Sequence, residues 1–261
     1  MSPEAVVAKA AELGVKILAI SDHDTTAGID ALRQNAAHPL PLRLIPAIEL
    51  NAEGELACHL LGYFIDSSRS TFQDGLARLR VRRVARVREM AEKLRQLGVP
   101  ISLEPILARS RDQSVGRPHL ADALREAGHV RNRQEAFNRF LKKGGPAYLA
   151  DETPSAEESI QLIRQAGGVP VLAHPSYYSS DQLIDRLVEI GLMGIEAYYP
   201  EHSRSLINRY REMAAKRGLL VTGGSDFHGP RTNRSALACV DVPEEAVSAL
   251  EEARSRLPSP S

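Results

Sequence analysis

The apolar run Ile17-Leu18-Ala19-Ile20 leads straight into Ser21-Asp22-His23-Asp24. Three ionisable groups in consecutive positions are costly to bury without partners. Taken alone, the stretch also admits a satisfied buried histidine between two helix-capping aspartates, but three further runs end in the same way. Leu42 to Leu50 closes on Glu49, Val169 to Ala173 on His174, and Leu219 to Thr222 leads through two glycines to Asp226-Phe227-His228. In extended chain, positions i and i+2 point the same way, so Asp226 and His228 can converge on one ion. A hairpin centred on Gly54 would set His59 opposite Glu49, on one side of the sheet and within about 5 Å at Cβ. Packing accounts for one buried histidine, but six such groups at strand ends suggest a cluster that binds a divalent cation. Imidazoles and carboxylates without thiolates suit Zn²⁺, Mn²⁺ or Fe²⁺ rather than a structural zinc cage.

The elements that must position these groups follow from periodicity. Helical spacing marks Pro3 to Leu13 and, after a Thr25 or Thr26 cap, Ala27 to Ala36. Another strand runs from Leu56 to Ile65. A long helix from Phe72 to Leu97 carries Leu76, Leu79, Val84, Val87, Met90, Leu94 and Leu97 on one stripe. Shorter helices are expected at Leu103 to Ala108, His119 to Ala127 and Arg133 to Leu141, before Gly144-Gly145-Pro146. Alternation then resumes: helices at Ser155 to Ala166, Asp181 to Ile190 and Ser203 to Arg217 interleave with strands at Val169 to Ala173, Met193 to Tyr198 and Leu219 to Thr222. An apolar segment, Ala236 to Val240, precedes a last helix, and the tail from Leu257 is expected to fray. Repeated strand–helix units favour a parallel barrel or a doubly wound sheet, whose sites lie at the carboxyl ends of the strands.

With 261 residues, 43% of them hydrophobic and 25% charged, the chain has the composition of a globular domain with a sizeable core. It has no long apolar run of membrane-spanning length and no signal-peptide pattern at Met1. Cys58 and Cys239 have no ligand spacing, so free thiols in a cytoplasmic protein are expected. A net charge of zero hides an asymmetry. Residues 69 to 143 hold 18 Lys and Arg against 8 Asp and Glu, a net +10 that leaves −10 for the rest. A basic insert over an acidic body is what a cation site beneath a phosphate-binding cover needs, although a solvated arginine-rich helix would carry the same charge.

Five motifs, in order along nearly the whole chain, carry a family resemblance: Ser21-Asp22-His23-Asp24-Thr25-Thr26, Pro46-Ala47-Ile48-Glu49, His59-Leu60-Leu61-Gly62, Ala173-His174-Pro175 and Gly224-Ser225-Asp226-Phe227-His228. They resemble the polymerase-and-histidinol-phosphatase (PHP) superfamily, most of all its small phosphoesterases acting on nucleotides. The resemblance implies a distorted TIM-like (β/α)7 barrel and hydrolysis of phosphate esters by a metal-bound hydroxide, with no side chain assigned as the catalyst. His23, Glu49, His59, His174, Asp226 and His228 would hold two or three divalent ions, Mn²⁺ first, with Zn²⁺ or Fe²⁺ as alternatives. Gly116-Arg117-Pro118-His119 resembles the family segment whose arginine and histidine grip substrate phosphate. Arg117 offers a fork for phosphate oxygens, and His119 opens a helix whose amides favour anions. A lysine usual in a later family motif falls on Gly145, which leaves Lys143 as the third phosphate contact.

The family also opens with a His-x-His strand and an aspartate within Ser-Asp-Gly, and no histidine precedes His23 here. The expected fold is therefore an α/β barrel lacking its first strand. Its body covers 1–68 and 151–261, and the helical, arginine-rich insert 69–150 forms a substrate cap. A start assigned too late would explain the missing ligands; a truncated or degenerate protein is the alternative. The expected activity is a metal-dependent phosphoesterase acting on nucleotides or short oligonucleotides, without an evident protein partner. A histidinol-phosphate-type phosphatase, an amidohydrolase and a catalytically impaired nucleotide-binding remnant are the competing readings.

Overall fold

The structure, a computed structural model, describes residues 1–34, 40–109, 114–150, 154–178, 180–230 and 232–257. The last two residues of the helix expected at 27–36 and the tail beyond 257 lie outside them. The strands are β1 (Ile17–Ile20), β2 (Arg43–Ala52), β3 (Cys58–Tyr63), β4 (Val169–Leu172), β5 (Gly194–Tyr198) and β6 (Leu220–Gly223). The helices are α1 (Pro3–Glu12), α2 (Ala27–Gln34), α3 (Ser70–Gln96), α4 (Glu104–Arg109), α5 (Arg117–Glu126), α6 (Arg133–Ala136), α7 (Ala156–Gln165), α8 (Asp181–Glu189), α9 (Arg204–Arg217) and α10 (Glu244–Arg256). The chain divides into two compact units, one of residues 1–73 and 154–261, the other of residues 74–153.

In the first unit all six strands pair in chain order within one sheet. The sheet is mixed rather than parallel, because β3 runs antiparallel to both β2 and β4 while the other neighbours are parallel. The carboxyl ends of five strands therefore share an edge with the amino end of β3, where His59 lies. Alternation sends Ile45, Ala47, Leu61, Tyr63, Val169 and Val171 into one buried cluster. Glu49 and His59 continue the same parity at its rim. Ser155 and Glu158 cap α7 reciprocally, with Glu158 N–H donating to Ser155 Oγ and Ser155 N–H to Glu158 Oε2.

The hairpin register differs from the expected one. Glu49 pairs with Leu61 and Asn51 with His59, so the loop is residues 53–57 and centres on Glu55. The slip amounts to two positions, which preserves the face, whereas a slip of one would have turned His59 away from Glu49.

The second unit is helical, with no strand among its described residues. Val87, Met90 and Leu94 of α3 pack with Ile106, Leu120, Leu124, Phe140 and Leu141 in its core. Val84 is only partly buried, and Leu97 at the end of the expected stripe is exposed. The helix expected over 133–141 changes type: α6 gives way to a π turn at Phe137–Leu141, closed by Lys142 N–H donating to the Phe137 carbonyl at 2.9 Å. The wider turn sets Gly145 against the Phe140 carbonyl, 2.6 Å from where a Cβ would stand. A lysine cannot occupy that position in this backbone. Among the described residues no helix is long and apolar enough to cross a membrane.

Candidate metal centre

β1 stops at Ile20, and the chain re-pairs only at His23, through a single parallel bridge to Glu49. Glu49 N–H donates to the Asp22 carbonyl at 3.1 Å, and Asp24 N–H to the Glu49 carbonyl at 2.9 Å. The two aspartates beside His23 support it rather than converge with it. The Asp22 carboxylate accepts the Gly28 N–H at the start of α2, and Gly28 has no space for a Cβ because Asp22 Oδ2 lies where it would project. Burial raises the Asp22 pKa against that hydrogen bond and the charge of His23. Asp24 accepts from Asn51 N–H at 3.2 Å and from Asn51 Nδ2 at 2.6 Å, and the same amide lies 3.3 Å from His23 Nδ1. An outer carboxylate and amide of this kind orient a ligating imidazole.

Glu49 is the hub. Its carboxylate lies 2.7 Å from His59 Nδ1, 3.3 Å from His174 Nε2 and 3.7 Å from His23 Nε2. Burial opposes its ionisation, but the charge of His23 and hydrogen bonds from His174 and His59 hold the carboxyl well below its usual range. Burial lowers the His23 pKa, helped by the charges of His59 and His228 and opposed by Glu49 and Asp24. The His23 ring centroid is 5.3 Å from that of His59 and 5.7 Å from that of His228, and His59 is 4.9 Å from His174. Asp226 completes the set, its Oδ1 3.3 Å from His228 Nδ1. The six groups singled out in the sequence thus converge at one end of the sheet, beside a cavity of about 810 Å³ that five of them, all but His59, help to line.

The reason first given for Asp226 and His228 does not hold. β6 ends at Gly223, and Asp226 has φ 48°, outside extended chain. The two meet because the turn folds His228 Nδ1 back to 2.7 Å from the Asp226 carbonyl oxygen. His174, at φ 30°, also leaves its strand's alternation, and Asp24 has φ 56°. Left-handed backbone at non-glycine residues costs about 1–3 kcal/mol each and gathers at functional sites. Among the described residues five non-glycine residues have positive φ; two of them, His174 and Asp226, belong to the cluster, and a third, Asp24, supports His23.

Sequence reading missed the residues that hold these groups. Glu196 Oε2 accepts the His174 N–H at 2.8 Å. Burial, aided by the charges of Glu49 and Asp226 and opposed by the His174 amide and Arg234, pushes its pKa up to about 8. A glutamate within the apolar run Gly194 to Tyr198 was the available signal. The Tyr178 hydroxyl accepts the His59 N–H at 2.7 Å and lies 3.4 Å from His174 Nδ1. Tyr199 donates to Asp226 Oδ2 at 2.9 Å, and Arg234 reaches the same oxygen at 2.5 Å. Burial raises both tyrosine pKa values, so both hydroxyls keep their protons.

The donor set fits a divalent cation. One ligand atom from each of His23, Glu49 and His59 lies within 4.8 Å of the others, and imidazole nitrogen with carboxylate oxygen is the donor chemistry of Zn²⁺, Mn²⁺ and Fe²⁺. The three residues expected to bind phosphate belong to the helical unit. Arg117 lies 5.6 Å and Arg86 5.7 Å from the centre of the Tyr148 ring. Gly116 N–H donates to His119 Nδ1 at 3.2 Å, which leaves Nε2 as the protonated nitrogen of the neutral ring. Lys143 is exposed.

No protein-family model matches the chain. It is 33% identical over 237 residues to the 5'-3' exoribonuclease Rnm of Salmonella typhimurium, covering 88% of this chain and 81% of the relative. It is 29% identical over 238 residues to the 3',5'-nucleoside bisphosphate phosphatase of Chromobacterium violaceum, covering 88% and 83%. A solved structure from Bifidobacterium adolescentis, described as a metal-dependent phosphoesterase, superposes with a TM-score of 0.81 at 32% identity over 97% of this chain and 91% of that one.

Proposed function

We propose, from the premise that this chain belongs to the PHP-like family of metal-dependent phosphoesterases, that it hydrolyses phosphate esters of nucleotides or short oligonucleotides. The observation that carries the reading is the convergence of three imidazoles on the buried Glu49 carboxylate. His23, Glu49, His59, His174, Asp226 and His228 are read as the ligands of two or three divalent ions, Mn²⁺ foremost. When bound, such ions supply a water of lowered pKa and neutralise charge on the phosphoryl oxygens. The chain's own groups prepare the site. Asn51 and Asp24 fix the His23 ring, Tyr178 and Glu196 fix His59 and His174, and Tyr199 holds Asp226. Arg117, His119 and Lys143 are read as phosphate contacts, a role supported by the guanidinium fork of Arg117 and the proton on His119 Nε2.

As a fold, the sheet is read as a distorted barrel without its first strand, since β1 and β6 run the same way and both line the cavity. Free cysteines at 58 and 239 suit a cytoplasmic setting. The test is phosphate or mononucleotide release with Mn²⁺ from nucleoside monophosphates, 3',5'-bisphosphates, short oligoribonucleotides and histidinol phosphate. Nucleotide substrates are expected to lead, with His174→Ala and Asp226→Ala reducing turnover at least a hundredfold (on the order of one lost first-rank group). Unchanged activity in both variants would overturn the site, and preference for histidinol phosphate would overturn the substrate class.

A further inference from the structure

Beside His174 stands a ring that the metal centre does not use. Tyr177 closes a short 3-10 turn, Pro175–Tyr177, that follows His174 directly. Its ring centroid is 4.8 Å from that of His174 and 6.0 Å from that of Tyr199. Yet it is 45% exposed, the one exposed Phe or Tyr among the described residues. An exposed tyrosine is ordinary when it swings freely, and this one is fixed. Its hydroxyl donates to Glu201 Oε1 at 3.1 Å, lies 3.1 Å from the Tyr199 hydroxyl and accepts from Arg234 Nη2 at 3.0 Å. Arg234 is itself anchored on Asp226, with its guanidinium carbon 5.6 Å from the Tyr177 ring centre.

We infer that Tyr177 is a stacking platform for the nucleobase of the substrate, braced by Arg234 and Glu201, and that it makes the site prefer nucleotides over phosphate esters without a base. The inference rests on the nucleotide reading of the metal centre. Every base has a flat π-face, so an aromatic ring binds bases with little regard to sequence, and truncating such a ring costs roughly tenfold or more in affinity. Anchoring the hydroxyl in advance removes the ordering cost that a mobile ring would incur on binding. The position is apt, because a phosphate held at His174 leaves the rest of a nucleotide to lie over neighbouring surface, and Tyr177 is an adjacent aromatic residue that remains partly exposed beside Arg234. The platform touches the leaving or retained nucleoside and takes no part in bond breaking.

The test uses Mn²⁺-loaded protein, wild type and the variants Tyr177→Ala and Tyr177→Phe, with calorimetric binding of adenosine 5'-monophosphate and of ribose 5-phosphate, the same ester without a base. Wild type is expected to bind the nucleotide at least about tenfold more tightly than the sugar phosphate. Tyr177→Ala should remove that preference and leave ribose 5-phosphate and Mn²⁺ affinity within about twofold, while Tyr177→Phe, which keeps the ring, should retain most of it. Equal losses for both ligands, or weakened Mn²⁺ binding in Tyr177→Ala, would show support of His174 and overturn the platform. So would an unchanged preference in Tyr177→Ala. Should the alanine variant not fold, loss of the preference in Tyr177→Leu, an apolar side chain without a π-face, supports the platform and its retention overturns it. Wild-type protein that releases phosphate from simple esters but not from nucleotides refutes the nucleotide reading itself, a result separate from any effect of Tyr177.

Discussion

Replacing Glu49 by glutamine keeps the volume of the side chain and removes its charge at the point where His23, His59 and His174 meet. A dication among four imidazoles needs anionic ligands to offset its charge, and Glu49 is the carboxylate within reach of three of those rings. A ligand that binds only the native state stabilises it by RT ln(1 + [L]/Kd), about 2.7 kcal/mol at a hundred times Kd. For a domain of roughly 150–250 residues each kcal/mol moves the thermal midpoint about 2–4 °C, so saturating Mn²⁺ should raise that of the wild type by about 5–11 °C over chelator-treated protein. The same addition to Glu49→Gln should raise it by less than about 2 °C, the residue of a site whose affinity has fallen a hundredfold or more. Scanning calorimetry with and without metal measures the difference, so any baseline loss of stability in the variant cancels. His129→Ala is the control. Its Nε2 pairs with the Pro100 carbonyl in the helical unit at 2.8 Å, and the metal-induced rise should survive that change. An undiminished rise in Glu49→Gln, or identical wild-type midpoints with metal and with chelator, would refute the assignment of Glu49 as the hub ligand.

Two further outcomes follow from burial. The unfolded chain ionises Glu196 near 4.5, while the folded, metal-free protein holds the proton to about 8; between those values the native state binds the extra proton, so stability falls as pH rises through the window. The thermal midpoint of metal-free wild type should therefore drop relative to Glu196→Gln from about pH 5 to pH 8, and parallel curves would contradict the raised pKa. Burial pushes the Cys58 thiol up to about 12 and closes it to solvent, whereas Cys239 is exposed. A thiol-disulfide reagent at about pH 8 should titrate one cysteine in native protein and two in denatured protein, and Cys239→Ser should leave none reactive in the native state.

Much of the centre was legible as a pattern of strand ends. Glu49 was readable because it interrupts an apolar run, and the His59 side of the hairpin survived a wrong register because sheet faces repeat every two residues. The direction of β3 was implicit in the short hairpin, although the repeated strand–helix units argued for a wholly parallel sheet. The π turn at Phe137–Leu141 left no trace in a periodicity that an α-helix satisfies equally well.

The sequence by itself determined which residue types could bind a cation and that they follow or close apolar runs, because solvent-averse runs and ionisable groups are written locally. Tertiary structure decided how the groups meet. His174 and Asp226 reach the cluster through left-handed backbone that no alternation rule predicts, and Glu196, Tyr178, Tyr199 and Arg234 bond to members of the cluster 22, 119, 27 and 8 positions away in the chain. Such partners are chosen by the folded sheet, where the energetic need to satisfy a buried polar group is met by whichever side chain the fold brings within hydrogen-bond range.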